Sequence, residues 1–141
     1  MKVVIDTNIF ISALLSGGGP SRQVLRLCLQ GRYHPLMGNA LLAEYEDVCN
    51  RDLLFEAAVL NQRDRNDLLD AFLSCCLWTP IYFLWRPNLR DKADNHVMEL
   101  AVASNASVIV TANKRDFLNT QLKFPSIAIC DATEFLKLQE V

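Results

Sequence analysis

Two apolar, β-branched runs, Val3-Val4-Ile5 and Val108-Ile109-Val110, lack any alternation with polar residues, and each stops at a polar side chain, Asp6 in the first and Thr111 in the second. A strand without alternation is covered on both faces, the condition of a central strand in a parallel sheet. Helical patterns fall between and after these runs, so strands alternate with crossover helices. The expectation is a three-layer α/β/α sandwich with a mostly parallel sheet of about five strands.

Along the chain, Lys2 to Ile5 reads as the first strand and Ile9 to Leu15 as a helix after it. Gly17-Gly18-Gly19-Pro20 is a break, and Ser21 is expected to cap a helix running to Gly31. Arg32 to Met37 is the second strand candidate, and Gly38-Asn39 opens a helix with Leu41, Leu42, Tyr45 and Val48 on one side. Arg51 to Leu60 and Arg63 to Leu77 read as two further helices, a helical arm at about 51–77. Ile81 to Leu84, inside Trp78 to Trp85, is the third strand candidate, with Trp78, Tyr82, Phe83 and Trp85 as core or subunit contact. Asn95 to Ala106 is a helix, Ser107 to Thr111 the next strand, Ile127 to Cys130 the last, and Asp131 caps Ala132 to Leu138.

A length of 141 residues suits one domain, 1–141, with a single core. Hydrophobic residues make up 51% and charged residues 21%, too apolar for disorder. Polar residues interrupt every apolar stretch before the roughly 18 residues a membrane span needs, and no signal-like segment opens the chain. A cytoplasmic protein is expected. Cys28, Cys49, Cys75, Cys76 and Cys130 have no CxxC spacing and read as reduced, mostly buried thiols. A net charge of -2 argues against a general polyanion binder, although Arg86, Arg90, Lys92, Lys114 and Arg115 are grouped around acidic residues.

Those acids are the chemical signal. Asp6 follows the first strand, Asp116 lies in the loop after the strand that ends at Thr111, Asp91 and Asp94 sit three apart where a helix begins, and Glu44 is near the start of another. In a parallel sheet the carboxyl ends of all strands share one edge, where ligands bind. Carboxylates converging there repel one another unless a cation intervenes, and an oxygen-rich ligand set suits Mg²⁺ or Mn²⁺ better than zinc. Asp6, Glu44 and Asp94 are the first choices as ligands, with Asp116 or Asp91 for water or a second ion. Thr7, Asn8, Ser12 and Thr111 are neutral groups that could orient a carboxylate or its water, and His96 could touch a substrate phosphate. Each acid also has an ordinary reading, as a helix cap or a surface residue.

The blocks VVIDTNIFISALL, ALLAEYEDV, LRDKADNHVMELAVAS and VIVTANKRDFL, in this order and spacing, resemble the PIN-domain nucleases, and in particular the prokaryotic branch of toxin components of toxin–antitoxin pairs. The resemblance implies a metal-dependent endoribonuclease that cleaves RNA by activated water, with Asp6, Glu44 and Asp94 as ligands and Asp91 in the same loop. It also implies a homodimer or higher homo-oligomer, and an antitoxin protein whose peptide covers the active-site groove. Where the family often carries a fourth aspartate, this chain has Asn113, with Asp116 three residues on. An amide is a weaker, neutral ligand. A non-catalytic PIN-like module that binds RNA or protein through an incomplete site is therefore the second reading. A metal-dependent phosphatase is a third, disfavoured because Asn8 stands where a second aspartate would be needed.

Overall fold

Strand β1 (Lys2–Ile5) runs through the middle of a parallel five-stranded sheet in the computed structural model, which describes residues 1–15, 19–56, 60–80, 95–117, 124 and 126–138. The strand order is β3-β2-β1-β4-β5, with β2 at His34–Met37, β3 at Leu77–Trp78, β4 at Val108–Val110 and β5 at Ala128–Cys130. Val3, Val4 and Ile5 pair with Val108, Ile109 and Val110 in parallel, so the two runs without alternation lie side by side. All six of these residues are buried. The chain leaves β1 toward β2 on one side, while β4 adds on the other. The switch point of the sheet is therefore at the carboxyl ends of β1 and β4, directly below Asp6 and Thr111.

Helices α1 (Thr7–Leu15), α2 (Pro20–Leu29), α3 (Asn39–Cys49) and α4 (Gln62–Cys75) pack on one another, and α5 (Asn95–Ala103) packs on β1, β2 and β4. The last helix, α6 (Ala132–Leu138), rests on α2. This is the expected sheet flanked by helices. Phe10, Tyr45 and Phe72, from α1, α3 and α4, form an aromatic cluster with centroids 5.2 to 5.7 Å apart. Edge-on and stacked contacts of this kind add to the area they bury and tie the three helices into one layer.

Helix boundaries follow local chemistry. Gly31, at φ 78°, closes α2: the Gly31 and Arg32 amides donate to Cys28 and Leu27. Asn105, at φ 59°, ends α5 in the same way, with its own amide on Val102 and that of Ala106 on Ala101. A left-handed residue after the last turn recovers carbonyls that would otherwise be orphaned, and Gly or Asn takes that conformation at least cost. Asp131 caps α6 as expected, in a reciprocal box: the Glu134 amide donates to Asp131 Oδ1 at 2.8 Å and the Asp131 amide to Glu134 Oε1 at 3.1 Å.

Three boundary expectations change. Ser21 does not cap α2, which starts at Pro20 behind Gly19, because proline's fixed φ and missing N–H suit the first helical position. The stretch expected as a helix over 51–60 forms only a 3-10 turn, Asp52–Phe55, among its described residues. The next helix ends at Cys75, and Leu77–Trp78 becomes β3 by pairing with Leu36 and Met37. Trp78 is 51% exposed, so it is not core; Ile81 to Leu84 and Trp85 lie outside the described residues. All five cysteines are free thiols, three of them buried. Among the described residues no helix is long and apolar enough to cross a membrane.

Candidate functional site

Asp6 is the first residue beyond β1, and its amide extends the sheet pairing by donating to Val110 at 3.0 Å. That bond places the carboxylate at the switch point, only 3% exposed. Oδ1 accepts the Thr7 amide at 2.8 Å, and Oδ2 accepts the Thr111 hydroxyl at 2.8 Å and the Asn8 amide nitrogen at 3.4 Å. Thr111 Oγ1 in turn accepts the Asn8 side chain at 3.3 Å and the Asn113 backbone at 3.1 Å, while the Ala112 amide donates to Asn8 Oδ1 at 3.0 Å. The start of α1 and the loop after β4 are thereby laced together around one carboxylate.

Glu44 approaches from α3. The Thr7 hydroxyl meets its Oε1 at 2.5 Å, and His96 Nε2, from α5, lies 2.5 Å from its Oε2. Both carboxylate oxygens are thus engaged by protein groups. Tyr45, fully buried beside Glu44, donates its hydroxyl to the carbonyl of Ile5 at 2.5 Å and sets α3 against the end of β1. Glu46 faces solvent, as the helical wheel requires.

The two acids titrate in opposite directions. Burial pushes the Asp6 carboxyl above its ordinary range, against the lowering effect of the Thr111 hydrogen bond, and the negative charge of Glu44 pushes it further. Burial also acts upward on Glu44, but the hydrogen bonds from His96 and Thr7 outweigh it and hold this group below its ordinary range.

The remaining expected residues are not all gathered here. Asp116 sits on a 3-10 turn, Lys114–Phe117, and lines a polar cavity of about 410 Å³ with Ala112, Asn113, Lys114, Arg115 and Asp131. Lys114 is bound there to Glu134 at 2.6 Å. Ser12 is exposed on α1 and is not joined to the network. Asp91 and Asp94 lie outside the described residues. His96, which the sequence suggested could touch a substrate phosphate, has its imidazole against Glu44. Tyr45 was legible only as an inward-facing position, since nothing in a sequence marks the target of a buried hydroxyl.

The expectation of a Mg²⁺ or Mn²⁺ centre is corrected by this geometry. Among the described residues no three of His, Cys, Asp and Glu are grouped so that they could hold a metal ion. The physical reason is in the donor set: Glu44 is held by Thr7 and His96, and Asp6 by Thr7, Asn8 and Thr111. These side chains satisfy one another and do not fit the ion.

Residues 2–115 match the family model of the PIN domain. The chain belongs to the PIN-domain family. This PIN domain is 27% identical over 146 residues to the uncharacterized protein MJ1680 of Methanocaldococcus jannaschii, covering all of this chain and 83% of that one. Its fold is similar to VapBC2 from Rickettsia felis, solved bound to a DNA fragment from their promoter, with a TM-score of 0.59, 18% identity and coverage of 93% of this chain and 98% of that one. FitAcB from Neisseria gonorrhoeae is similar at a TM-score of 0.54 and 15% identity, with 92% and 97% covered. At these identities the two structures bear on the fold alone.

Proposed function

We propose that this PIN domain is a binding module of the toxin–antitoxin kind, which engages an antitoxin-type protein and does not hydrolyse RNA. The observation that carries this reading is the closure of Glu44, whose two oxygens are taken by Thr7 and His96. One protein partner on each oxygen fixes Glu44 against Thr7 and His96, and among the described residues no three of His, Cys, Asp and Glu are grouped so that they could hold a metal ion. Asn113, neutral where relatives often carry an acid, supports the same conclusion. The likeness of the fold to VapBC2 and FitAcB supports the class of partner. A cytoplasmic location and self-association belong to the same reading, with the exposed Leu77 and Trp78 at the edge of the sheet as apolar surface for a second copy.

The test has two arms. The protein encoded beside this chain's gene is co-expressed and the complex measured by size exclusion with light scattering; a stable complex is expected. RNA is then incubated with the free chain and with Asp6→Asn, Mn²⁺ being supplied to both. Equal, background-level cleavage is expected. RNA cleavage that Asp6→Asn abolishes in protein of unchanged fold would overturn the reading.

A further inference from the structure

Helix α4 ends in two consecutive free cysteines, Cys75 as its last residue and Cys76 as its C-cap, and both are partly exposed. The acidic network uses neither of them. We propose that these two thiols form a chelating site for a trivalent arsenical with two exchangeable oxygen bonds, held through two As–S bonds.

The exchange balances without an oxidant. In each of two steps an As–O bond breaks, an As–S bond forms, and the proton of the thiol goes to the displaced oxygen, which leaves as water. Two hydroxides leave as two waters, and an As=O oxygen leaves as one water after taking both protons. Arsenic stays trivalent throughout.

Placement and surroundings suit this ligand. Consecutive Cα atoms lie about 3.8 Å apart, so adjacent thiols reach one atom by rotation about their χ1 bonds. Neither sulfur is strongly held: Cys76 Sγ donates to the Phe72 carbonyl at 3.3 Å, and Cys75 Sγ lies 4.0 Å from the Ser74 hydroxyl, both weak contacts for sulfur. Cys76 leaves the helix, with φ -81° and ψ 146°, so no further turn of α4 covers the pair. Cys76 packs against the apolar core, and the next residues, Leu77 and Trp78, are exposed apolar side chains. Soft sulfur in an apolar setting selects a soft, thiophilic centre over a hard cation such as Mg²⁺. The charge of Cys75 acts on both Cys28 and Cys76, which marks the three sulfurs as neighbours. Cys28 is fully buried, however, and among the described residues no three of His, Cys, Asp and Glu are grouped to hold a metal ion, so the site is a dithiol.

A peroxide-sensing pair fits less well. That chemistry starts from a thiolate, which the negative end of a helix disfavours. Burial, joined by the charges of Cys28 and Cys75, pushes the Cys76 thiol up to about 12. Exchange at arsenic consumes protonated thiols and has no such requirement.

The test uses the whole reduced chain with phenylarsine oxide, read by intact mass under native conditions. One phenylarsenic group per chain is expected, resistant to excess glutathione and removed by 1,2-ethanedithiol, because a monothiol competes poorly with a chelate. Cys75→Ser and Cys76→Ser are each expected to lose at least about a hundredfold in affinity, the advantage of a second bond made within one molecule. Melting curves verify that each variant folds. In the wild type the bound group is expected to shield Cys75 from N-ethylmaleimide, which peptide mapping reads without any substitution. The proposal is overturned if the folded chain takes up no arsenic, if either variant binds as tightly as wild type, or if mapping places the group on Cys28, Cys49 or Cys130. It is also overturned if hydrogen peroxide joins Cys75 to Cys76 while the arsenical leaves both thiols free.

Discussion

The hydroxyl of Tyr45 donates to the carbonyl of Ile5 at 2.5 Å, joining the middle of α3 to the last residue of β1. The next residue of each element, going outward, is a site acid: Glu44 precedes Tyr45, and Asp6 follows Ile5. The Tyr45 bond therefore sets the two segments that carry the carboxylates, and Thr7 joins the carboxylates themselves, its amide on Asp6 and its hydroxyl on Glu44.

Tyr45→Phe keeps the ring in its cluster with Phe10 and Phe72 but leaves the Ile5 carbonyl without this donor. A buried acceptor deprived of its partner costs about 1–3 kcal/mol. Urea unfolding is expected to show a lower midpoint with an unchanged slope. A variant as stable as wild type would mean that the bond contributes nothing net.

Glu44 and Asp6 predict opposite dependences on pH. The Glu44 carboxyl is depressed in the folded state, so its contribution is present above the ordinary value of 4.5 and is lost as pH falls through the folded one. Glu44→Gln is expected to destabilise at neutral pH, with the difference from wild type shrinking below pH 4.5. Chemical denaturation as a function of pH measures this, and a constant difference across the range would contradict it.

Asp6 has the reverse sign. Its folded carboxyl is raised above 3.8, so the protonated form is favoured by folding, and stability falls as pH rises through the interval between the two values. Replacing the buried charge, Asp6→Asn, is expected to stabilise the protein at neutral pH by roughly 0.5–2 kcal/mol. The gain should disappear in acid. A thermal midpoint that drops at pH 7 would count against it.

Arg65 is buried at the junction of α3 and α4. Its guanidinium donates to the carbonyls of Cys49 and Leu60 and to Asp52 Oδ1, and it lies 4.4 Å from the centre of the Phe55 ring. The pairing with Asp52 counts for little, since that side chain is 77% exposed. The buried Cys49 carbonyl counts for more. Arg65→Ala is expected to cost about 2–4 kcal/mol, and Arg65→Lys to recover only part, because an ammonium cannot reproduce the planar fork. Unfolding of both variants checks the ordering.

Asp131→Ala removes one half of the reciprocal cap on α6 and is expected to cost about 1 kcal/mol. Amide exchange should quicken in the first turn of that helix. Unchanged exchange would show the cap to be dispensable.

Sequence determined a great deal here because burial leaves periodic traces. Val3 to Ile5 and Val108 to Val110 lack alternation since both faces of a central parallel strand are covered, and that alone puts Asp6 and Thr111 at one sheet edge. Capping chemistry at Asp131 and the inward stripe of α3 are local and were legible for the same reason. What the acids do once assembled is not local. Whether Glu44 faces a cation or is closed by Thr7 and His96 depends on side chains 37 and 52 residues away, and on the packing that brings α3 and α5 within hydrogen-bond reach. The strand at Leu77–Trp78 belongs with these, for a two-residue run has no period of its own and becomes a strand only because β2 offers it an edge to pair with.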